Sequence, residues 1–241
     1  MFGNPHLQMT HKLATRVITF SGIDGAGKST QIEGLCEVLR RQGFTVRRIA
    51  FWDDVAVLPH LRAGLSLRVF RKKAEPDQAI TLRTDKNVRA WYLSLIRAGF
   101  YVLDALHFRI MLARLRRSEV DFIVVDRCCY DQLVHVRPRN WFLRAFIHLV
   151  TRLAPAPDVA LLLDASPDQA FARKPEYPLH FLREYREAYL RLRDFVPRLV
   201  VIPPASVDTV HAHILRCVLR EPFSVDRGAV GEHEILLRNS P

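Results

Sequence analysis

The sequence predicts an α/β fold, a doubly wound five-stranded parallel sheet with helices on both faces. Two observations lead there. Short β-branched or aromatic runs alternate with segments of helical spacing, as parallel βαβ units with right-handed crossovers require. Every charged or glycine-rich motif falls at the carboxyl end of a strand, where ligands bind on such sheets.

The elements follow in order. Arg16–Ser21 (RVITFS) is a β-branched and aromatic run that stops at glycine, so it reads as a buried strand. From Lys28 to Gln42 the apolar residues Ile32, Leu35, Cys36 and Leu39 recur at i, i+3, i+4 and i+7, and Gly43 closes the helix. Phe44 to Phe51 is the second strand, followed by an irregular charged stretch at Trp52-Asp53-Asp54. Residues 85–117 form one long helix or two in series, apolar almost all round between Trp91 and Phe108. Such a helix is buried inside the domain or against a second subunit. Phe122–Asp126 (FIVVD) is the third strand. Asn140 to Leu153 is amphipathic, with Asn140, Arg144, His148 and Arg152 as its polar stripe. That pattern suits a half-buried helix, or one lying on an anionic membrane face. After the Pro155/Pro157 turn, Val159–Asp164 (VALLLD) is the fourth strand. A helix starts at Pro167, a longer one runs from about Leu179 to Phe195, Arg198–Ile202 is the fifth strand, and Val207–Leu219 is the last helix. Residues 1–14 and 221–241 lack periodicity and are expected to be mobile ends around one domain over 15–220.

Composition narrows the function. With 49% apolar residues in 241, general disorder is excluded. The net charge of +11 draws phosphate in any form, and 30 of the 36 basic residues are arginine, which binds phosphate bidentately. A codon bias gives the same ratio. The four cysteines, Cys36, Cys128, Cys129 and Cys217, have neither zinc-ligand nor C-x-x-C spacing, as expected for reduced thiols in a cytosolic protein. Met1 to Ala14 has no apolar run of the secretory kind, and no stretch of eighteen apolar residues exists. A cytoplasmic protein without a transmembrane segment is therefore expected. No aromatic–basic motif of a nucleic-acid reader is present, so no nucleic-acid partner is expected.

Gly22-Ile23-Asp24-Gly25-Ala26-Gly27-Lys28-Ser29 fits G-x-x-x-x-G-K-[ST] in full, between a predicted strand and a predicted helix. The glycines let backbone N–H groups converge on phosphate oxygens, and the helix starting at Lys28 aims its positive end there. Lys28 is expected to reach the β- and γ-phosphates of ATP, and Ser29 to ligate Mg²⁺. The guanine-reading N-K-x-D tetrapeptide is absent, which argues against a GTPase switch. Strand three ends in Asp126-Arg127. The carboxylate there can hold Mg²⁺ through water or take an acceptor proton, and Arg127 can bind a second phosphate. The alternative is a surface ion pair between these two neighbours. Arg173 and Lys174, followed by a segment with two prolines, are placed to close over the transferring phosphoryl group. A solvated charge pair is the competing reading. Arg183 and Arg186 are further candidates. Asp24 can reach an acceptor hydroxyl from within the loop, or it is simply a polar loop residue.

From Arg16 to Leu219 these residues resemble thymidylate kinase and the wider nucleoside monophosphate kinases. The loop Gly22–Thr30 (GIDGAGKST), Asp126-Arg127 as the start of a D-R-Y motif, Pro157 to Arg173 (PDVALLLDASPDQAFAR) and Phe181 to Tyr189 (FLREYREAY) carry the likeness. The resemblance implies a P-loop fold in which Gly22, Asp24, Gly25, Ala26, Gly27, Lys28, Ser29 and Thr30 cradle ATP. It implies that Lys28, Ser29 and Arg173 serve ATP and Mg²⁺, and that Asp24 and Arg127 face the acceptor. Gly25 stands where some members carry a catalytic arginine; the resemblance implies that members with glycine there supply the cation from the flap instead, here Arg173 or Lys174. A homodimer is also implied. The acceptor side departs from the pattern. Phe51-Trp52-Asp53-Asp54 replaces an arginine–proline–glycine loop, and Asp104-Ala105 replaces an Asp-Arg pair, with Arg109 a substitute one turn on. Cys128 replaces the D-R-Y tyrosine, and His135-Val136 replaces a tyrosine–glutamine pair. The expectation is an ATP-dependent kinase acting on a nucleoside monophosphate, dTMP by default. A sugar or other hydroxyl acceptor and a non-catalytic ATP-binding regulator are the alternatives.

Overall fold

The computed structural model describes residues 14–57, 91–136, 138, 140–196 and 198–219. The expected tail over 221–241, nearly all of the expected N-terminal segment, and residues 85–90 of the long helix lie outside them.

Strand β1 (Arg16–Ser21) sits between β3 (Phe122–Asp126) and β4 (Val159–Leu163), with β2 (Val46–Ala50) outside β3 and β5 (Leu199–Ile202) outside β4. All pairings are parallel. The order β2-β3-β1-β4-β5 leaves β1 enclosed on both edges, and Val17, Ile18, Thr19, Phe20 and Ser21 are all buried. That explains why its sequence is almost continuously apolar rather than alternating.

Helices α1 (Lys28–Arg41) and α6 (Val207–Leu219) cover one face, where Ile32, Leu35, Leu39, Ile214 and Val218 pack on Ile18, Phe20, Val124 and Leu161. Helices α2 (Trp91–Leu115), α3 (Trp141–Leu153) and α5 (Leu179–Leu190) cover the other, with Phe108, Leu112, Ile147, Val150 and Tyr189 against Val17, Ile123, Val125 and Leu162. Each such fully buried aliphatic or aromatic side chain is worth roughly 1.5–3 kcal/mol over leaving it exposed. The chain leaves β1 toward one face and leaves β3 and β4 toward the other. Their loops therefore diverge over the carboxyl end of β1, and that is where a crevice forms.

Four elements depart from expectation or refine it. Strand β2 ends at Ala50, and Phe51–Val55 form a π-helical turn; Asp54 caps it by accepting from the Ala50 N–H at 2.7 Å. Strand β4 ends at Leu163, one residue short of the expected Asp164, whose N–H still donates to Ile202 O (2.9 Å) while its carboxylate turns to Arg186. Helix α2 buries Tyr101, Ala105, Phe108 and Leu112 but exposes Leu95, Ile96, Leu103, Leu106 and Ile110. Its apolar circumference is thus only half covered among the described residues. Asn140, read as part of a polar stripe, is the N-cap of α3, its side chain accepting from the Leu143 N–H at 2.9 Å. Among the described residues no helix is long and apolar enough to cross a membrane.

Candidate active site

The phosphate loop leaves β1 with three glycines in the left-handed half of backbone space: Gly22 (φ 139°), Gly25 (φ 84°) and Gly27 (φ 84°). Gly25 has a second constraint. A Cβ there would lie 2.6 Å from the Ala170 carbonyl oxygen of α4 (Pro167–Arg173). No side chain fits at that position, so an arginine at this point of the loop is excluded by the packing of α4. Arg173, at the end of the same helix, donates from Nη1 to Gly25 O at 3.4 Å and puts a guanidinium at the loop from outside.

Gly27 caps α1, whose first residue is Lys28. The Lys28 ammonium is nearly buried and donates to the carbonyls of Gly22 (2.9 Å) and Ile23 (2.8 Å). Burial, and then the nearby Arg127, lower its pKa to about 8, with Asp24, Asp131 and Asp126 pulling the other way. Ser29 and Thr30 are exposed on the first turn of α1, and Ala26 is half-buried in the loop.

Asp126 closes β3, in register with Phe20 of β1 and Ala50 of β2. Its carboxylate lies 3.8 Å from Arg48 Nη2. Arg127, next along, has a left-handed backbone (φ 67°), uncommon for a non-glycine and held by its N–H on Phe20 O at 2.8 Å. The side chain turns inward rather than to the surface. It pairs with Asp24, donates to the Tyr189 hydroxyl at 2.8 Å, and reaches Gly22 O at 3.5 Å. Burial works against its charge, but Tyr189, Asp131, Asp24 and Tyr185 outweigh that and raise its pKa. Asp126 and Arg127 therefore do not form the mutual surface pair that was the competing reading.

The structure brings Asp24, Gly25, Lys28, Arg127 and Arg173 around one loop. Lys174 is not among them: half-exposed, it pairs with Glu176 at 3.2 Å. Arg186 holds Asp164 through two hydrogen bonds of 2.6 Å, and Arg183 lies 3.5 Å from Asp168. Arg109 donates to the carbonyls of Arg152 (3.4 Å) and Leu153 (3.1 Å), so it caps the end of α3 instead of serving an acceptor. Ser29 and Asp126 provide one hydroxyl and one carboxylate, hard oxygens of the kind Mg²⁺ takes alongside phosphates and water. No group of three or more metal-ligating side chains exists among the described residues.

Sequence reasoning missed the residues beneath Arg127. Asp131 is buried and accepts from Ser21 Oγ (2.7 Å), the Cys128 N–H (2.7 Å) and the Tyr189 hydroxyl (2.9 Å). Its signal was the i, i+4 spacing from Arg127. Tyr189 ends a series, Tyr177, Phe181, Tyr185, Tyr189, whose period of four marks one helix face; successive ring centroids are 5.1, 5.3 and 5.1 Å apart.

No family model matches the sequence. Curated relatives do. A probable thymidylate kinase of Methanothermobacter thermautotrophicus is 28% identical over 218 residues, covering 88% of this chain and 98% of that protein. The thymidylate kinase of Caldanaerobacter subterraneus is 25% identical, over 84% and 94% of the two chains. The crystal structure of thymidylate kinase from Ehrlichia chaffeensis superposes with a TM-score of 0.54 at 17% identity, covering 86% of this chain and 99% of that one, which shows the shared fold. Over most of its length the chain is similar to thymidylate kinases. Within this thymidylate-kinase-like chain the phosphate loop and Arg127 are intact, while the acceptor-side departures are built into the structure. Asp54 is committed to its turn. Asp104 is buried, accepting from the Val57 N–H (2.7 Å) and from Gln132 Nε2 (2.6 Å).

Proposed function

We propose that this protein is an ATP-dependent nucleoside monophosphate kinase, with dTMP as the default acceptor. The observation that carries the reading is the meeting of two cations from different strand ends, Lys28 and Arg127, over one glycine loop. A third, Arg173, touches the loop from α4. Phosphoryl transfer needs little covalent chemistry from the protein, only positioning and charge. In this reading Lys28 leaves its loop carbonyls for the β- and γ-phosphates as backbone N–H groups of Gly22, Asp24, Gly25, Ala26, Gly27, Ser29 and Thr30 gather around them. Arg127 takes the acceptor phosphate, and Asp24, now its ion-pair partner, is released toward the acceptor. Arg173 closes over the equatorial oxygens of the transferring group, which is where negative charge accumulates. Lys174 contributes only if the flap moves and breaks its pair with Glu176. Ser29 and Asp126 would hold Mg²⁺, the ion that bridges and neutralises the phosphates in such reactions.

The sugar-acceptor alternative rests on the missing acceptor arginines and on carboxylates at Asp53 and Asp54 that could accept from hydroxyls; the use of Asp54 as a cap weakens the second ground. We also propose that the protein is a cytosolic homodimer, because the exposed apolar face of α2 has no cover within the described residues. The test is ATP consumption by the purified protein with and without dTMP, with Lys28→Ala as the blank. Acceptor-dependent turnover absent from the blank supports the reading. ATP binding with no stimulation by any nucleoside monophosphate sinks it in favour of another hydroxyl acceptor or a non-catalytic protein.

A further inference from the structure

Asp131 is a carboxylate with almost no solvent access, on the 3-10 turn Cys129–His135. Burying such a charge is costly unless donors surround it. They do. Oδ2 accepts from Ser21 Oγ and from the Cys128 N–H, each at 2.7 Å, and Oδ1 accepts from the Tyr189 hydroxyl at 2.9 Å. Arg127 Nη1 lies 3.9 Å from Oδ1. The three donors come from the end of β1, the end of β3 and α5, so one side chain ties together the elements that converge on the site. Packing alone would be met by a small neutral residue without that cost.

The directions of the hydrogen bonds say what the charge does. An ionised carboxylate only accepts, so the Tyr189 hydroxyl must donate its proton to Asp131. Its lone pairs then face Arg127, whose Nη1 donates to it at 2.8 Å. The phenol is a rotor with one setting, and that setting holds the guanidinium at the phosphate loop. With the carboxylate gone, the hydroxyl is free to turn its proton toward Arg127, and a donor would confront a donor.

We propose that Asp131 and Tyr189 are positioning residues for the acceptor, fixing the Arg127 guanidinium where an acceptor phosphate binds. The proposal rests on the kinase reading above. Neither residue touches the transferring group; both act through Arg127.

Steady-state kinetics of Tyr189→Phe and Asp131→Asn test it, with dTMP and ATP varied separately. Tyr189→Phe keeps the ring in its packing and removes one oxygen, so it stays informative if Asp131→Asn does not fold. The expected result for Tyr189→Phe is a KM for dTMP raised ~10-fold, the loss of one charge-assisted hydrogen bond, with the KM for ATP within about twofold. The double variant should match the worse single one, since both act through the same arginine. An unchanged dTMP KM, or parallel rises in both KM values, would overturn the positioning role. Wild-type protein without acceptor-dependent turnover is a separate failure: it removes the reaction, and this role with it.

Discussion

Lys28 sits at the head of α1 with a pKa lowered to about 8, chiefly by burial and then by Arg127. Its value in the unfolded chain is near 10.5. Between those pH values the unfolded state binds more protons, so stability rises with pH across the window, and below it the cost of the buried cation is fully present. ATP phosphates reverse the balance by placing negative charge beside the ammonium, so its pKa rises on binding. Nucleotide binding near pH 8.5 should therefore take up a fraction of a proton, on the order of one-half or more. Calorimetry in buffers of different ionisation enthalpy reads this directly. Lys28→Arg should show no uptake, because a guanidinium stays charged throughout; uptake of the same size in that variant would refute the assignment. At this scale the motif residues were legible because G-x-x-x-x-G-K-[ST] fixes type and spacing together. Asp131 and Tyr189 were not, since a buried charge is recognised by donors brought from distant segments, Ser21 among them.

Elements were legible where one periodicity dominates. Strands β1 and β3 have the boundaries their apolar runs suggest, and α6 likewise. Ends governed by side-chain capping were harder. Phe51 has strand chemistry but opens a π-helical turn, because the Asp54 carboxylate claims the Ala50 N–H. Asn140 looked like one polar residue of a stripe and is the cap of α3. Asn140→Ala should cost ~1 kcal/mol in chemical denaturation, the usual worth of such a cap, with little change in kinetics because α3 lies away from the phosphate loop. A change within experimental error would mean α3 is held by Ile147 and Val150 alone. The aromatic series on α5 links two regions: Tyr177 lies in the segment after Lys174, and Tyr189 holds Arg127. The segment after Lys174 and Arg127 are thus linked by one row of aromatic rings.

For the molecule as a whole, the doubly wound sheet explains why sites from β1, β3 and α4 meet, and that much followed from the alternation of strands and helices, which places ligands at the carboxyl ends of the strands. The long apolar helix left two readings open, internal burial or a subunit contact. Leu95, Leu103, Leu106 and Ile110 have no cover among the described residues, which is what the proposed dimer rests on. Light scattering should give twice the chain mass for the wild type and the single-chain mass for a Leu103→Glu, Leu106→Glu variant; a monomeric wild type would refute the dimer. The acceptor was the least legible feature, because the expected arginines are absent and Arg109, the apparent substitute, caps α3. Its identity is also the claim on which the rest depends. The most direct test is product analysis after incubation with ATP, Mg²⁺ and dTMP. The account predicts dTDP and ADP formed in equal amounts and lost in Lys28→Ala; ADP and inorganic phosphate without dTDP would contradict it.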